Sequence, residues 1–450
     1  MKKKYILLLI LIAALFFWAA GKTRTILTKD MERQNTVFSG QSTNNPPLIV
    51  LTKVALGGFS GLVVDILWMR MINLQTEGKV FEIAQLADWI TKLEPHFTTV
   101  WAFHAWNMAY NISILYTNPE HRWLWVNNGI QLLRDSALEY NPKEPILYRE
   151  LGWIYQHKIG QSWDDMHVFY KQKLAREMDD LFHGPRPDYS KPDSQIKKMR
   201  DEYKLEPDIM QKIEKTYGPL DWRLPETHAL YWAYRGLHSA ATGKDTSDCD
   251  HMIFQSMAAE FLHGRLFFDP KAGVYITTPR LDLIPGVMKS YEEAIERQKI
   301  DFFRRAYASF LSEAVFIYHV YGKDKTAQIL FDKLLSTEST EPKLKGQISF
   351  ETFMRDCSQL KIADMPQVAA IAWIEGLLYQ AHADIKSARV KKAEELRDKA
   401  FSLWKQYKAH LKDRKDAEIR KDAEIFPAFG LIDKLALQRA GEQKQPLITH

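Results

Sequence analysis

The chain has 450 residues, too many for one ordinary hydrophobic core, so it either divides into domains or extends its core unit by unit. Hydrophobic residues make up 46% of it, enough to fold, while a formal charge of +5 on 61 basic and 56 acidic side chains gives no electrostatic argument for nucleic acid. Cys249 and Cys357 are too few and too far apart for a disulfide framework or a CxxC pair.

The first element is apolar. Lys2, Lys3 and Lys4 precede an unbroken run from Tyr5 to Ala20, ending at Gly21. As a helix the run spans roughly 24 Å, slightly short for a membrane span and slightly long for a signal-peptide core. Phe16, Phe17 and Trp18 suit an interfacial anchor, whereas Ala19 and Gly21 suit a cleavage site before Lys22. Residues 1–21 are therefore a membrane anchor or a signal segment. The lysines before the run place the body outside the cytoplasm on either reading, periplasmic or extracytoplasmic. Residues 22–47 are polar, end in Asn-Asn-Pro-Pro, and read as a linker. Leu48–Val64, with Lys53, Gly57, Gly58 and Gly61, reads as a buried first helix with a Gly-Gly break rather than a second span.

Beyond that point apolar residues recur at spacings of three and four, and extended alternating runs are absent, so the expected class is all-α. A longer pattern lies over this one. Leu-Glu-Pro at 93–95 precedes Trp101, Ala105 and Trp106; Tyr-Asn-Pro at 140–142 precedes Tyr148, Gly152 and Trp153. The two segments superpose with a shift of 47, and each has an aromatic residue six positions past its proline. Further frames follow: Leu67, Met71, Leu74, Ile83, Ala87, Ile90 and Pro95; Tyr148, Leu151, Gly152 and Tyr155; Tyr318, Gly322, Ala327, Phe331 and Leu334; and Gly376, Tyr379 and Ala388. On these residues the chain resembles bacterial membrane-anchored tetratricopeptide-repeat-like (TPR-like) proteins. That resemblance implies an irregular α-solenoid of antiparallel helix pairs, in which small residues let the helices approach and a proline ends each pair. Residues 48–183 are then N-terminal repeats, 184–225 a proline-rich insertion, 226–425 C-terminal helical repeats and 426–450 a tail. The segment 269–286, with Pro270, Pro279 and Pro285, is irregular. Asp384–Glu424 is a charged helix with Arg-Lys-Asp-Ala-Glu-Ile duplicated at 414–425.

The sequence carries no Walker loop, GxSxG, HExxH or dinucleotide turn, so no catalytic residue and no cofactor is expected. Asp248, Cys249, Asp250 and His251 are consecutive on a helix and point in different directions, which argues for a helix start and against a metal. His104, His228 and His238 sit among aromatics as packing residues. The resemblance implies binding of other proteins or peptides, as subunits of an envelope, export or transporter-associated complex. The candidate partner-binding residues are Trp101, Trp106, Tyr110, Trp222, Arg223, Tyr231 and Trp232, read against the alternative that these aromatics fill gaps between helices. The other function class is an enzyme whose site lies at the 184–225 insertion, with Tyr217, Asp221, Trp222 and Arg223 forming a pocket against the helices. Leu220, Trp222 and Leu224 are too apolar for a disordered loop, so 218–225 is expected to pack, with Pro225 starting a helix.

Overall fold

The computed structural model describes residues 22, 60–189, 193–337, 348–358, 365–413 and 426–442. The expected anchor Tyr5–Ala20, most of the linker, the Gly-Gly break and the duplicated hexapeptide at 414–425 lie outside the described residues. Among the described residues no helix is long and apolar enough to cross a membrane. The protein is mostly helical. It divides into two compact units, Met1–Glu150 and Leu151–His450, so the division falls inside a helix and earlier than the proline-rich break at 184.

In the first unit α1 (Ser60–Thr76) and α2 (Val80–Leu93) are joined by a tight turn at Gly78, whose φ of 70° favours a residue without a Cβ. Short connections of this kind fold each helix back on its predecessor. Met71, Leu74, Ile83, Ala87, Ile90 and Val100 form one buried cluster, with Leu67 and Trp68 packed against it. The apolar spacing read from the sequence is thus the core face of the pair. α3 (Thr98–Trp106) runs on into a π-helical turn, Asn107–Ile112. α4 (Pro119–Gln131) starts where Asn118 caps it, the side chain accepting from His121 N at 3.0 Å with Pro119 at the first helical position. It also ends in a π turn, Leu132–Ala137. α5 (Pro145–Trp153) continues into a third, Ile154–Ile159.

The repeat at a shift of 47 is a structural one. α5 and its π turn reproduce α3 and its π turn residue for residue. Trp101 Nε1 donates to the Pro95 carbonyl at 2.8 Å, and Tyr148 Oη donates to the Pro142 carbonyl at 3.0 Å. The turn bonds also correspond: Phe97 N to Glu94 O and Val100 N to Phe97 O in one copy, Glu144 N to Asn141 O and Leu147 N to Glu144 O in the other. Trp106 stacks on Tyr110, and Trp153 stacks on His157. An aromatic six residues past the proline is therefore a ring donor for the proline carbonyl, a backbone acceptor that the helix after it cannot use.

In the second unit come α6 (His167–Phe182), α7 (Asp193–Tyr203), α8 (Pro207–Tyr217), α9 (Pro225–Ser239) and α10 (Ser247–His263). The expected insertion thus holds two helices of its own. An antiparallel hairpin follows, β1 (Arg265–Asp269) with β2 (Val274–Thr278), Phe267 opposite Ile276. The sequence reading expected no strand here. The aromatic and β-branched content of the two segments suits strands, and Asp269 Oδ1 accepts from Lys271 N and Ala272 N to close the turn. α11 (Ile284–Gln298), α12 (Asp301–Val320), α13 (Asp324–Ser336), α14 (Phe350–Ser358), α15 (Gln367–Lys386), α16 (Val390–Asp413) and α17 (Phe429–Gly441) complete the unit. Tyr318, Ala327, Phe331, Leu334 and Tyr379 are buried as their frames require. A Cβ on Gly376 would meet the Val320 carbonyl at 2.9 Å, so a small residue there sets the approach of α15 to α12. Ala388 corrects the reading: it is the turn residue between α15 and α16, with φ 57°, and not a packing position of the second helix.

Candidate functional site: a polar cavity at the start of α9

The segment before α9 is ordered and packed. Trp222 is fully buried, with Leu220 and Leu224 beside it, and its indole donates to Glu214 Oε1 at 3.0 Å. Pro225 takes the first helical position of α9. The four residues expected to shape a pocket are engaged with one another or with neighbouring helices. Arg223 pairs with Asp221 at 2.8 Å and with Asp179 at 3.1 Å, and Tyr217 donates to Glu293 at 3.0 Å.

The cavity begins one step further on. A space of about 570 Å³ is lined by Leu224, Glu226, Lys171, His263 and Tyr275 among others. A second space, of about 480 Å³, shares Glu226, His263 and Gln161 with the first. Four elements supply the polar end. Glu226 stands in the first turn of α9, His263 in the last turn of α10, Lys171 on α6 and Tyr275 on β2. Glu226 is only 5% exposed, and its carboxylate is held by its own backbone N–H. His263 Nε2 stands 3.9 Å from Glu226 Oε1, beyond hydrogen-bond reach.

Burial dominates the electrostatics. It pushes the Glu226 carboxyl up to about 7, against the nearby Lys171 charge. It pushes His263 down to about 4, and Lys171 adds to that shift. At neutral pH the ring is uncharged and the carboxyl is close to its midpoint. Deeper still, Glu260 is 0% exposed; one oxygen accepts from Thr227 Oγ1, and the other has no hydrogen-bond partner among the described residues. Burial first, and the charge of Glu226 second among the raising effects, hold Glu260 well above the usual carboxylate range. The arrangement can hold or release a proton at Glu226 and can accept donors from a guest. The cavity wall away from these groups is mixed, with Val168, Ile276 and Ile371 on its apolar part and Gln161, Ser162, Thr277 and Gln367 on its polar part.

The residues expected to grip a partner fall in different places. Trp222, Tyr231 and Trp232 are core side chains at 0–1% exposure, so no external partner reaches them in this conformation. Tyr231 bonds the Lys204 carbonyl, and Trp232 lies under the Arg235 guanidinium. Arg223 is held in its carboxylate pairs. Trp101 is buried on Pro95, while Trp106 and Tyr110 stay half-buried and stacked. The three histidines are packed: His104 is buried, His228 stacks on Tyr155, and His238 stacks on Tyr234. Asp250 turns to Arg297 and Gln298. Open apolar side chains lie elsewhere in the first unit, where Leu62, Ile66 and Met69 of α1 and Phe81 and Trp89 of α2 are each about half exposed.

No sequence signal marked Glu226 or His263 as a pair, because 37 positions separate them and each is ordinary in its own segment. No protein-family model matches the chain, and no curated protein or solved structure matches it.

Proposed function

We propose that this chain is a membrane-tethered, TPR-like scaffold, held by Tyr5–Ala20 with its body outside the cytoplasm, that binds protein subunits of an envelope complex. The observation that carries the reading is the outer side of α1 and α2. Leu62, Ile66 and Met69 recur at helical spacing and stay exposed, although the opposite side of the same helix fills the core. A helix apolar on both sides is ordinarily covered on both. The occupant with the matching chemistry is an amphipathic helix of a partner subunit, set into the surface at intervals of three and four residues. The copies at a shift of 47 support a repeat architecture. Their spacing exceeds the ~34 residues of a TPR unit, so the likeness lies in the packing rule, not in the period.

Affinity purification from detergent-solubilised membranes, with the wild type beside Ile66→Lys/Met69→Lys, tests this. A protein that co-purifies with the wild type and is lost from the variant is the expected result. An identical set of proteins with both chains, or none with either, contradicts it. Protease added to intact spheroplasts should digest the body, and protection would reverse the orientation.

A further inference from the structure

We propose that the cavity at the start of α9 is a binding site for an amine: a ligand with an ammonium head placed against Glu226 and an apolar body lying along Val168, Ile276 and Ile371. This site is in the second unit and does not depend on the scaffold reading.

The argument starts from an unmet acceptor. Buried carboxylates are ordinarily surrounded by donors. Glu226 is nine-tenths buried, lines both cavities, and is held by its own backbone N–H, while His263 stands too far away to donate. At least one carboxylate oxygen is therefore left facing space of about 570 Å³, within the range of small-molecule sites. The rest of the wall carries Gln161, Ser162, Thr277 and Gln367 beside the apolar side chains of Val168, Ile276 and Ile371, so a guest that lays an apolar body along the latter brings its donor at the Glu226 end.

A cationic donor fits better than a neutral one. The groups facing Glu226 are Lys171 and His167 on α6, His263 and Glu260 on α10, and Tyr275 on β2; Asp221 lies further off, paired to Arg223. Of these, Lys171 donates to or shares a proton with His167 Nδ1 at 3.2 Å, and His263 is neutral at pH 7. An ammonium brought to Glu226 supplies the missing donors and adds to the Lys171 charge that already favours the ionised carboxylate. It would stabilise the ionised carboxylate, so a ligand arriving below pH 7 displaces the proton from Glu226 to solvent. A carboxylate ligand would meet Glu226 and Glu260 and be disfavoured.

Isothermal titration calorimetry on the purified full chain, with phenethylammonium, phenethyl alcohol and 3-phenylpropionate, compares three heads on similar apolar bodies. The ammonium should bind at least about tenfold more tightly than the alcohol, and the propionate most weakly. Repeating the ammonium titration at pH 6 in buffers of different ionisation enthalpy should show close to one proton released per ligand bound, falling toward none at pH 8. Glu226→Gln should abolish both the head preference and the proton release. The proton count on the wild type stands by itself if that variant does not fold. Equal affinity for the three probes, preference for the propionate, no binding up to the solubility limit, or binding without proton release would each overturn the proposal.

Discussion

Residues 94–112 and 141–159 have the same backbone and almost none of the same side chains. Over 93–112 and 140–159 only Pro95/Pro142, Trp106/Trp153 and Ile112/Ile159 are identical pairs. Both copies keep the proline carbonyl bonded to a ring donor, the helix of nine residues and the π turn of six. What differs is what each copy packs against. In the first, His104 is buried with both ring nitrogens unpartnered among the described residues; its counterpart is Leu151. Asn107 and Asn111 bond one another in the first π turn, where Ile154 and Lys158 stand in the second, Lys158 pairing with Asp164. Ala105 stands where the second copy has Gly152. The frame is thus carried by very few residues, and the remaining positions follow the neighbours.

The comparison breaks first at Gly152. A Cβ there would meet the Met252 side chain and lie 3.1 Å from the Ala229 carbonyl. Gly152→Leu should cost on the order of 1–3 kcal/mol, since overpacking of this kind is destabilising. An unchanged melting temperature would remove Gly152 from any helix contact. Next come the reciprocal exchanges. Leu151→His buries a polar ring without a partner and should cost about 2 kcal/mol, while His104→Leu should leave stability unchanged or raise it by about 1 kcal/mol.

The His104 exchange has a pH signature. Burial lowers His104 to about 4 in the folded chain, from about 6.5 unfolded. The unfolded state then binds more protons between these values, so the stability tied to neutral His104 is complete above pH 6.5 and is lost as pH falls toward 4. Chemical denaturation of wild type and His104→Leu at pH 7.5 and 5 should show the variant gaining on the wild type at pH 5 by about 1–2 kcal/mol. Equal differences at both values would mean that His104 has a partner or meets solvent. The smallest effect is Tyr148→Phe, which removes the bond to Pro142 and should cost about 1 kcal/mol by urea unfolding; no loss at all would mean the hydroxyl bonds water.

The proline with an aromatic six residues later was legible in the sequence because both ends of that bond are residues with few substitutes. The core of α1 and α2 was legible because its apolar spacing matches one helix face. The π turns were not: one extra residue in the helical ladder leaves no compositional trace. The hairpin at 265–278 was missed because five-residue strands show too few alternations to count. Trp222, Tyr231 and Trp232 were read as partner anchors because aromatic content is the same in a groove and in a core, and only burial separates them. Glu226 escaped because its meaning depends on residues from 160 to 427 that meet only in the fold.

The central claim is that the ring donor on the proline carbonyl fixes each copy. Hydrogen exchange of the indole N–H groups, followed by NMR, tests it most directly, because Trp101 is buried on Pro95 whereas Trp163 is 78% exposed and serves as the internal reference. Trp101 should exchange orders of magnitude more slowly than Trp163, at a rate unaltered by Tyr148→Phe in the other copy. Exchange of Trp101 as fast as that of Trp163 would show that the Pro95 bond is absent and the shared frame with it.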